Sequence, residues 1–80
     1  MHIIFYHSPL CPRCRLARRT LKEIAREHGD IEIEEIDVFK RPLETLRRGV
    51  RMIPALQIDS RVLSGLYLKR KHIHQFIDNS

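Results

Sequence analysis

The sequence predicts a single α/β domain whose elements follow the order β-α-β-α-β-β-α. Three observations carry this prediction. An apolar run leads directly into a helix with one apolar stripe, a second strand and a short helix follow, and a hairpin precedes the last helix. The 80 residues suit one domain, and we assign residues 1–80 to it. A chain of this size hides only about 60–65% of its extended surface, so the core is expected to be thin.

Composition and charge narrow the class of protein. Hydrophobic residues make up 42% of the chain and charged residues 31%, a balance typical of globular proteins. No apolar run approaches the ~20 residues that span a bilayer, and no secretory leader precedes the first strand, so we expect a cytoplasmic protein without a membrane partner. The net charge of +5 suits anionic partners, although solvated helix faces explain it better than a dedicated nucleic-acid surface does. A nucleic-acid motif is missing, so nucleic acid is not an expected partner.

The first strand and the first helix follow from the apolar pattern. His2 to Tyr6 predicts a buried strand that ends at Ser8-Pro9. Residues with helical spacing predict the apolar stripe of the next helix: Ala17, Leu21, Ile24, Ala25 and His28. Gly29 supplies the C-terminal stop of that helix.

The second strand and the second helix are shorter. Residues 31–38 alternate imperfectly between apolar and acidic side chains, which is typical of a strand near a sheet edge. Pro42 suits a first helical turn, and Leu43, Leu46 and Val50 are expected to form the apolar face of this helix. Since a helix joins the first two strands, we expect them to be parallel, with a right-handed crossover.

A hairpin and a last helix complete the domain. Residues 54–58 and 61–63 predict two strands around a turn at Asp59-Ser60. After Ser64-Gly65, one side of the last helix is apolar: Leu66, Ile73, Phe76 and Ile77. The hairpin strands are antiparallel, so the expected architecture is a four-stranded mixed sheet flanked by helices on both faces.

The two cysteines lie where the first strand meets the first helix, in Cys11-Pro12-Arg13-Cys14. Cysteines three residues apart at a helix start share one face and suit a disulfide. The unpaired amides of the first turn and the Arg13 guanidinium favour a thiolate at Cys11. Cys14 lies deeper in the helix, as a resolving thiol would. The spacing therefore predicts a thiol-disulfide oxidoreductase with Cys11 and Cys14 as catalytic residues.

Other interpretations of these cysteines stay open. Free cysteines often pack as small core residues, which suits Cys14 better than Cys11 because Cys11 precedes the apolar stripe. His7 with both cysteines offers three metal ligands but no nearby fourth, so no bound metal or cofactor is expected. A cluster shared with exogenous thiols is a third interpretation. The main alternative function is a non-catalytic module that binds an acidic protein or nucleic acid through its basic surface.

The order of the motifs resembles the glutaredoxin branch of the thioredoxin superfamily. Cys-Pro-x-Cys opens the first helix, Ile53-Pro54 enters the hairpin, and Ser64-Gly65 precedes the last helix, so the resemblance covers nearly the whole chain. It implies a thioredoxin/glutaredoxin-like fold in which Pro54 is a cis-proline facing the dithiol and the Ile53 backbone pairs with an extended substrate. It also implies substrate-binding roles for the residues around the dithiol: Pro12, Arg13, Ile53, Pro54 and Gly65.

Departures from the glutaredoxin pattern bear on the reductant. Ser8 stands where glutaredoxins usually carry Lys, and Ser64-Gly65-Leu66-Tyr67 stands where they usually carry Gly-Gly and an acidic residue. The external reductant is therefore expected to be either glutathione or thioredoxin reductase. The substrate is expected to be a disulfide-containing protein or small molecule. Tyr67 is a candidate for stacking on the substrate, and His7 is a candidate for tuning the proton of Cys11.

Overall fold

A computed structural model describes residues 1–65 and 68–79 of the protein. Its elements are β1 (His2–His7), α1 (Pro12–His28), β2 (Glu32–Asp37), α2 (Pro42–Arg47), β3 (Ala55–Ile58), β4 (Arg61–Ser64) and α3 (Arg70–Asp78). This order confirms the predicted β-α-β-α-β-β-α arrangement. Leu66, expected on the apolar side of the last helix, and Tyr67, the stacking candidate, lie outside the described residues.

The four strands form one mixed sheet in the order β2-β1-β3-β4. β1 pairs in parallel with β2 and antiparallel with β3, and β3 pairs antiparallel with β4. The parallel first pair and the antiparallel hairpin are both as predicted. β2 lies at an edge of the sheet, where its glutamate side chains reach water.

The two faces of the sheet are covered by different helices. Alternation along β1 directs Ile3 and Phe5 to one face, where they join a core built with α1 and α3. Tyr6 points to the opposite face and packs with Ile36, Val50 and Ala55. A guanidinium nitrogen of Arg48, at the end of α2, donates to the Tyr6 hydroxyl at 3.3 Å, which holds α2 against this second face. Helices therefore flank both faces, as predicted.

α1 begins and ends where the sequence indicated. Cys11 is its N-cap, and Pro12 occupies the first turn, where the missing N–H costs nothing. At the other end Gly29 adopts a φ of 79° and its N–H donates to the Ala25 carbonyl at 2.9 Å. His28 is exposed instead of lying on the apolar stripe, since the helix ends there and its ring lies near that of His74. Within residues 1–65 and 68–79, no helix is both long and apolar enough to cross a membrane.

The prediction that Leu43, Leu46 and Val50 form the apolar face of α2 is wrong. Leu43 and Leu46 are 66% and 60% exposed, and Thr45 is the buried residue of this helix. The reason is length: α2 ends at Arg47, so Val50 lies beyond the helix and reaches the core from the following loop. The helix presents its threonine to the sheet, and the two leucines face solvent.

Candidate active site

The sheet topology brings four chain segments together at one end of the sheet. β1, β2 and β4 all end there, and the antiparallel strand β3 begins there. Tyr6 pairs with both Ile36 and Ala55, so the chain after β1 runs alongside Ile53-Pro54. The loop that carries Cys11 therefore meets the segment before β3, although more than forty residues separate them in sequence.

A tight turn between Ser8 and Cys11 places the first cysteine. The Cys11 N–H donates to the Ser8 carbonyl at 3.2 Å, and the Leu10 N–H donates to the Ser8 hydroxyl at 3.2 Å. Cys11 then has the extended backbone of an N-cap, and its sulfur accepts a hydrogen bond from the Cys14 N–H at 3.3 Å. An amide of the first turn thus faces the Cys11 sulfur, as the sequence predicted, at the positive end of the helix dipole.

Cys14 is the more deeply buried of the two free thiols, at 3% exposure against 8% for Cys11. Burial first, and then a side-chain hydrogen bond with Cys11, raise the pKa of Cys14 to about 11. A backbone hydrogen bond from Ser8 and the charge of Arg13 act in the opposite direction. The Cys14 thiol is therefore protonated near neutral pH and lies against the sulfur of Cys11.

Three of the residues predicted to bind substrate lie at the end of the sheet where the chain leaves β1 for Cys11. Ile53 packs against the core cluster that contains both cysteines, and the Ile53-Pro54 bond is cis, as the resemblance implied. The Gly65 N–H lies 3.4 Å from the Pro54 carbonyl, which joins the end of β4 to the start of β3. The structure thus brings Ile53, Pro54 and Gly65 to the end of the sheet that is followed by the Cys11 loop.

Pro12 and Arg13, the other two residues predicted to bind substrate, belong to the first turn of α1. Pro12 is exposed and Arg13 is half-buried. The buried Nε of Arg13 has no hydrogen-bond partner among the described residues. Its charge acts on the buried thiol, since it lowers the pKa of Cys14 against the larger effect of burial.

A charged group around His7, at the end of β1, contains two residues that sequence analysis missed. Arg18 forms an ion pair with Glu35 at 2.6 Å, and its guanidinium lies 3.5 Å from Nδ1 of His7. His7 stacks on the Phe5 ring and lies 4.0 Å from Glu35 through Nε2. Burial and the Arg18 charge lower the pKa of His7, against the opposing charges of Glu35 and Asp37. His7 is therefore neutral near neutral pH. Only the i, i+4 spacing of Cys14 and Arg18 could have indicated this group.

The side chains considered as metal ligands make other contacts. The His7 ring lies against Arg18 and Glu35, and the Cys11 sulfur accepts the amide hydrogen of Cys14. Across residues 1–65 and 68–79, no three His, Cys, Asp or Glu side chains are grouped so that they could hold a metal ion.

Comparison with known proteins identifies the family. A family model of the thioredoxin domain matches residues 1–78. The chain is 34% identical to the thioredoxin of Methanocaldococcus jannaschii over 61 residues, which are 75% of this chain and 72% of that protein. It is 32% identical to a probable thioredoxin of Methanothermobacter thermautotrophicus over 60 residues, 74% of this chain and 71% of that protein.

A solved structure agrees at the level of the fold. The crystal structure of chloroplastic thioredoxin z aligns with a TM-score of 0.75 at 21% sequence identity, covering 98% of this chain and 75% of that chain. The narrower expectation of a glutaredoxin-branch protein stays a prediction. The thioredoxin-domain match covers residues 1–78, and the four-stranded mixed sheet agrees with a thioredoxin fold. The chain therefore belongs to the thioredoxin family of thiol-disulfide oxidoreductases.

Proposed function

We propose that this protein reduces disulfide bonds in other proteins by exchange with the Cys11-Cys14 dithiol. One observation carries the proposal: a buried, protonated thiol lies against a second sulfur that accepts an amide hydrogen at the start of α1. The first helical turn stabilises negative charge on Cys11, which suits an attacking thiolate. Cys14 is held within reach of Cys11 and is shielded from external disulfides, as a resolving thiol needs to be.

The exchange proceeds in two steps that balance in atoms and electrons. The Cys11 thiolate attacks one sulfur of the substrate disulfide, and the other substrate sulfur leaves as a thiolate and takes a proton from water. Cys14 then loses its proton and attacks the Cys11 sulfur, which breaks the mixed disulfide. The substrate has gained two electrons and two protons, and a Cys11–Cys14 disulfide remains. An external dithiol reductase returns the two electrons.

The charges around the dithiol favour a protein reductase over glutathione as the reductant. None of residues 8–13, 51–54 and 62–65, which are described segments at the dithiol end of the sheet, is acidic, and the carboxylates of Glu35 and Asp37 are already bound to Arg18 and to the Phe39 N–H. The ammonium group of glutathione would therefore find no carboxylate in these segments, whereas its carboxylates would find Arg13 and Arg51. We infer that thioredoxin reductase, or a reductase of that type, supplies the electrons, and that the protein works in a reducing compartment such as the cytosol.

The proposal is tested by following insulin disulfide reduction with NADPH. One reaction contains thioredoxin reductase, and a parallel reaction contains glutathione with glutathione reductase. We expect NADPH oxidation in the first reaction and its loss with Cys11→Ser. Turnover supported by glutathione alone would contradict the choice of reductant. Absence of exchange with any dithiol, dithiothreitol included, would contradict the oxidoreductase and favour the non-catalytic binding module.

A further inference from the structure

An open cavity of about 320 Å³ lies between α2 and the loops on either side of it. Its walls come from the loop after β2, from α2 and from the segment that leads to Ile53. The residues that make it apolar are Val38, Phe39, Leu46, Val50, Met52 and Ile53. Ile53 lines the cavity, and the register of β1 and β3 sets Ile53-Pro54 alongside the chain that leads from β1 to Cys11, so the cavity lies at the dithiol end of the sheet.

Large apolar side chains around this cavity are exposed to water. Phe39 is 67% exposed, Leu46 60% and Met52 45%. Burial of each side chain against an apolar partner would stabilise a complex. Several such side chains around one concavity mark an interaction surface.

The same segment is strongly basic. Residues 38–53 contain five Lys or Arg residues and one acidic residue, Glu44. Glu44 is already paired with Arg41 at 3.5 Å and with Arg48 at 2.7 Å. Lys40, Arg47 and Arg51 make no ion pair with a described residue, and Arg51 lines the cavity itself.

These charges decide what the cavity can bind. A cationic partner would be repelled, and a second copy of this chain would place the same excess of cations against its own. An apolar group with neighbouring carboxylates satisfies both the exposed side chains and the unpaired cations. A polypeptide segment with apolar and acidic residues has this chemistry.

We propose that the cavity binds an apolar side chain of the substrate protein close to the disulfide, with flanking Asp or Glu residues facing Arg51, Lys40 and Arg47. This inference rests on the proposed function and specifies its substrate class. Extended chain advances about 3.3 Å per residue, so a segment lying along Ile53 reaches the cavity within a few residues of the reacting cysteine. The protein therefore selects disulfides in acidic, apolar sequence contexts.

The test compares synthetic peptides that share one intrachain disulfide and differ in the adjacent segment. The three segments are Glu-Phe-Glu, Lys-Phe-Lys and Glu-Ser-Glu, and the neutral bis(2-hydroxyethyl) disulfide reports exchange without docking. We expect kcat/KM for the Glu-Phe-Glu peptide to exceed that for each of the other two by about tenfold at low salt. Equal values for all three peptides would overturn the proposal.

Variants locate the preference on the protein. Leu46→Ser and Arg51→Gln should each lower kcat/KM for the Glu-Phe-Glu peptide by about five- to tenfold relative to that for the neutral disulfide. Leu16→Ser and Arg26→Gln are matched controls on α1, where Leu16 is 58% exposed, and they should change neither rate. Equal losses in the controls would overturn the docking surface. Loss of reaction with the neutral disulfide in the unmodified protein would instead refute the exchange chemistry itself.

Discussion

The backbone nitrogen of Cys14 lies 3.3 Å from the sulfur of Cys11, so the helix that carries one thiol also donates a hydrogen bond to the other. This contact exists because the Ser8–Cys11 turn makes Cys11 the N-cap of α1. An N-cap side chain accepts an amide hydrogen that the helix cannot pair internally. The same turn of helix buries Cys14, which gives the two thiols different environments within one short motif.

Replacing each cysteine separately should separate the two exchange steps. Cys11→Ser should abolish exchange, because no thiolate remains at the start of α1. Cys14→Ser should still attack substrate and should accumulate mixed disulfides, since the resolving thiol is gone. Non-reducing electrophoresis and mass spectrometry identify the trapped species. Trapping by Cys11→Ser and none by Cys14→Ser would reverse the assignment.

Alkylation should distinguish the thiols by pH. The pKa of Cys14 is raised to about 11, so its thiol stays protonated and unreactive toward iodoacetamide over the neutral and mildly alkaline range. We expect a single label, on Cys11, until the pH approaches that value. Protein unfolded in guanidinium, mapped by mass spectrometry, should show both cysteines labelled under mildly alkaline conditions. Equally fast labelling of Cys14 in the folded protein at such a pH would disprove its shielding.

The raised pKa of Cys14 also predicts how alkali acts on the reduced protein. The unfolded chain releases the Cys14 proton near its ordinary value of 9.0, whereas the folded protein retains it to about 11. The contribution of the protonated Cys14 thiol to the free energy of unfolding is therefore fully present below the first value and is lost as pH rises toward the second, by up to about 3 kcal/mol. Urea unfolding of the reduced protein and of Cys14→Ala at several pH values measures this. The decline should be smaller in Cys14→Ala, and identical slopes would contradict the prediction.

His7 should titrate below the ordinary histidine value of 6.5, because burial and the Arg18 charge both oppose its protonation. The charges of Arg18 and Glu35 shift the pKa of His7 in opposite directions, so removing each charge should have the opposite effect. Arg18→Gln should raise the pKa of His7, and Glu35→Gln should lower it further. The Cε1–H proton shift of His7 across pH reports these values by NMR. Shifts of the same sign in both variants would show that the charged group does not control His7.

The hydroxyl of Tyr6 should stabilise the second face of the sheet. It donates to Oε1 of Gln57 at 2.6 Å and accepts from Arg48 at 3.3 Å in a fully buried position. Tyr6→Phe keeps the ring and removes both hydrogen bonds, so the free energy of unfolding should fall by about 1–2 kcal/mol. A double-mutant cycle with Gln57→Leu, measured in urea, should give a coupling of about 1 kcal/mol. Additive losses would contradict this role of the hydroxyl.

Local patterns in the sequence were enough to predict the elements and the position of the dithiol. The 3.6-residue stripe from Ala17 to Ile24 and the terminal Gly29 define α1, because helix periodicity and capping act over a few residues. Cys11 and Cys14 could be recognised for the same reason: their spacing and their place at the helix start are local properties. The position of β2 at the sheet edge also followed from its acidic alternation.

The tertiary structure alone decided which distant residues meet. No local pattern encodes strand register: the position of Ile53-Pro54 beside the Cys11 loop was implied by the family resemblance alone, and the contact of Glu35 with Arg18 was not predicted. The exposure of Leu46 was mispredicted because α2 ends before its apolar spacing can repeat. The burial that raises the pKa of Cys14 likewise depends on packing against the whole core. The sequence alone thus determined the features that depend on residues within about one helical turn. The tertiary structure determined the contacts between residues that the sheet brings together from distant parts of the chain.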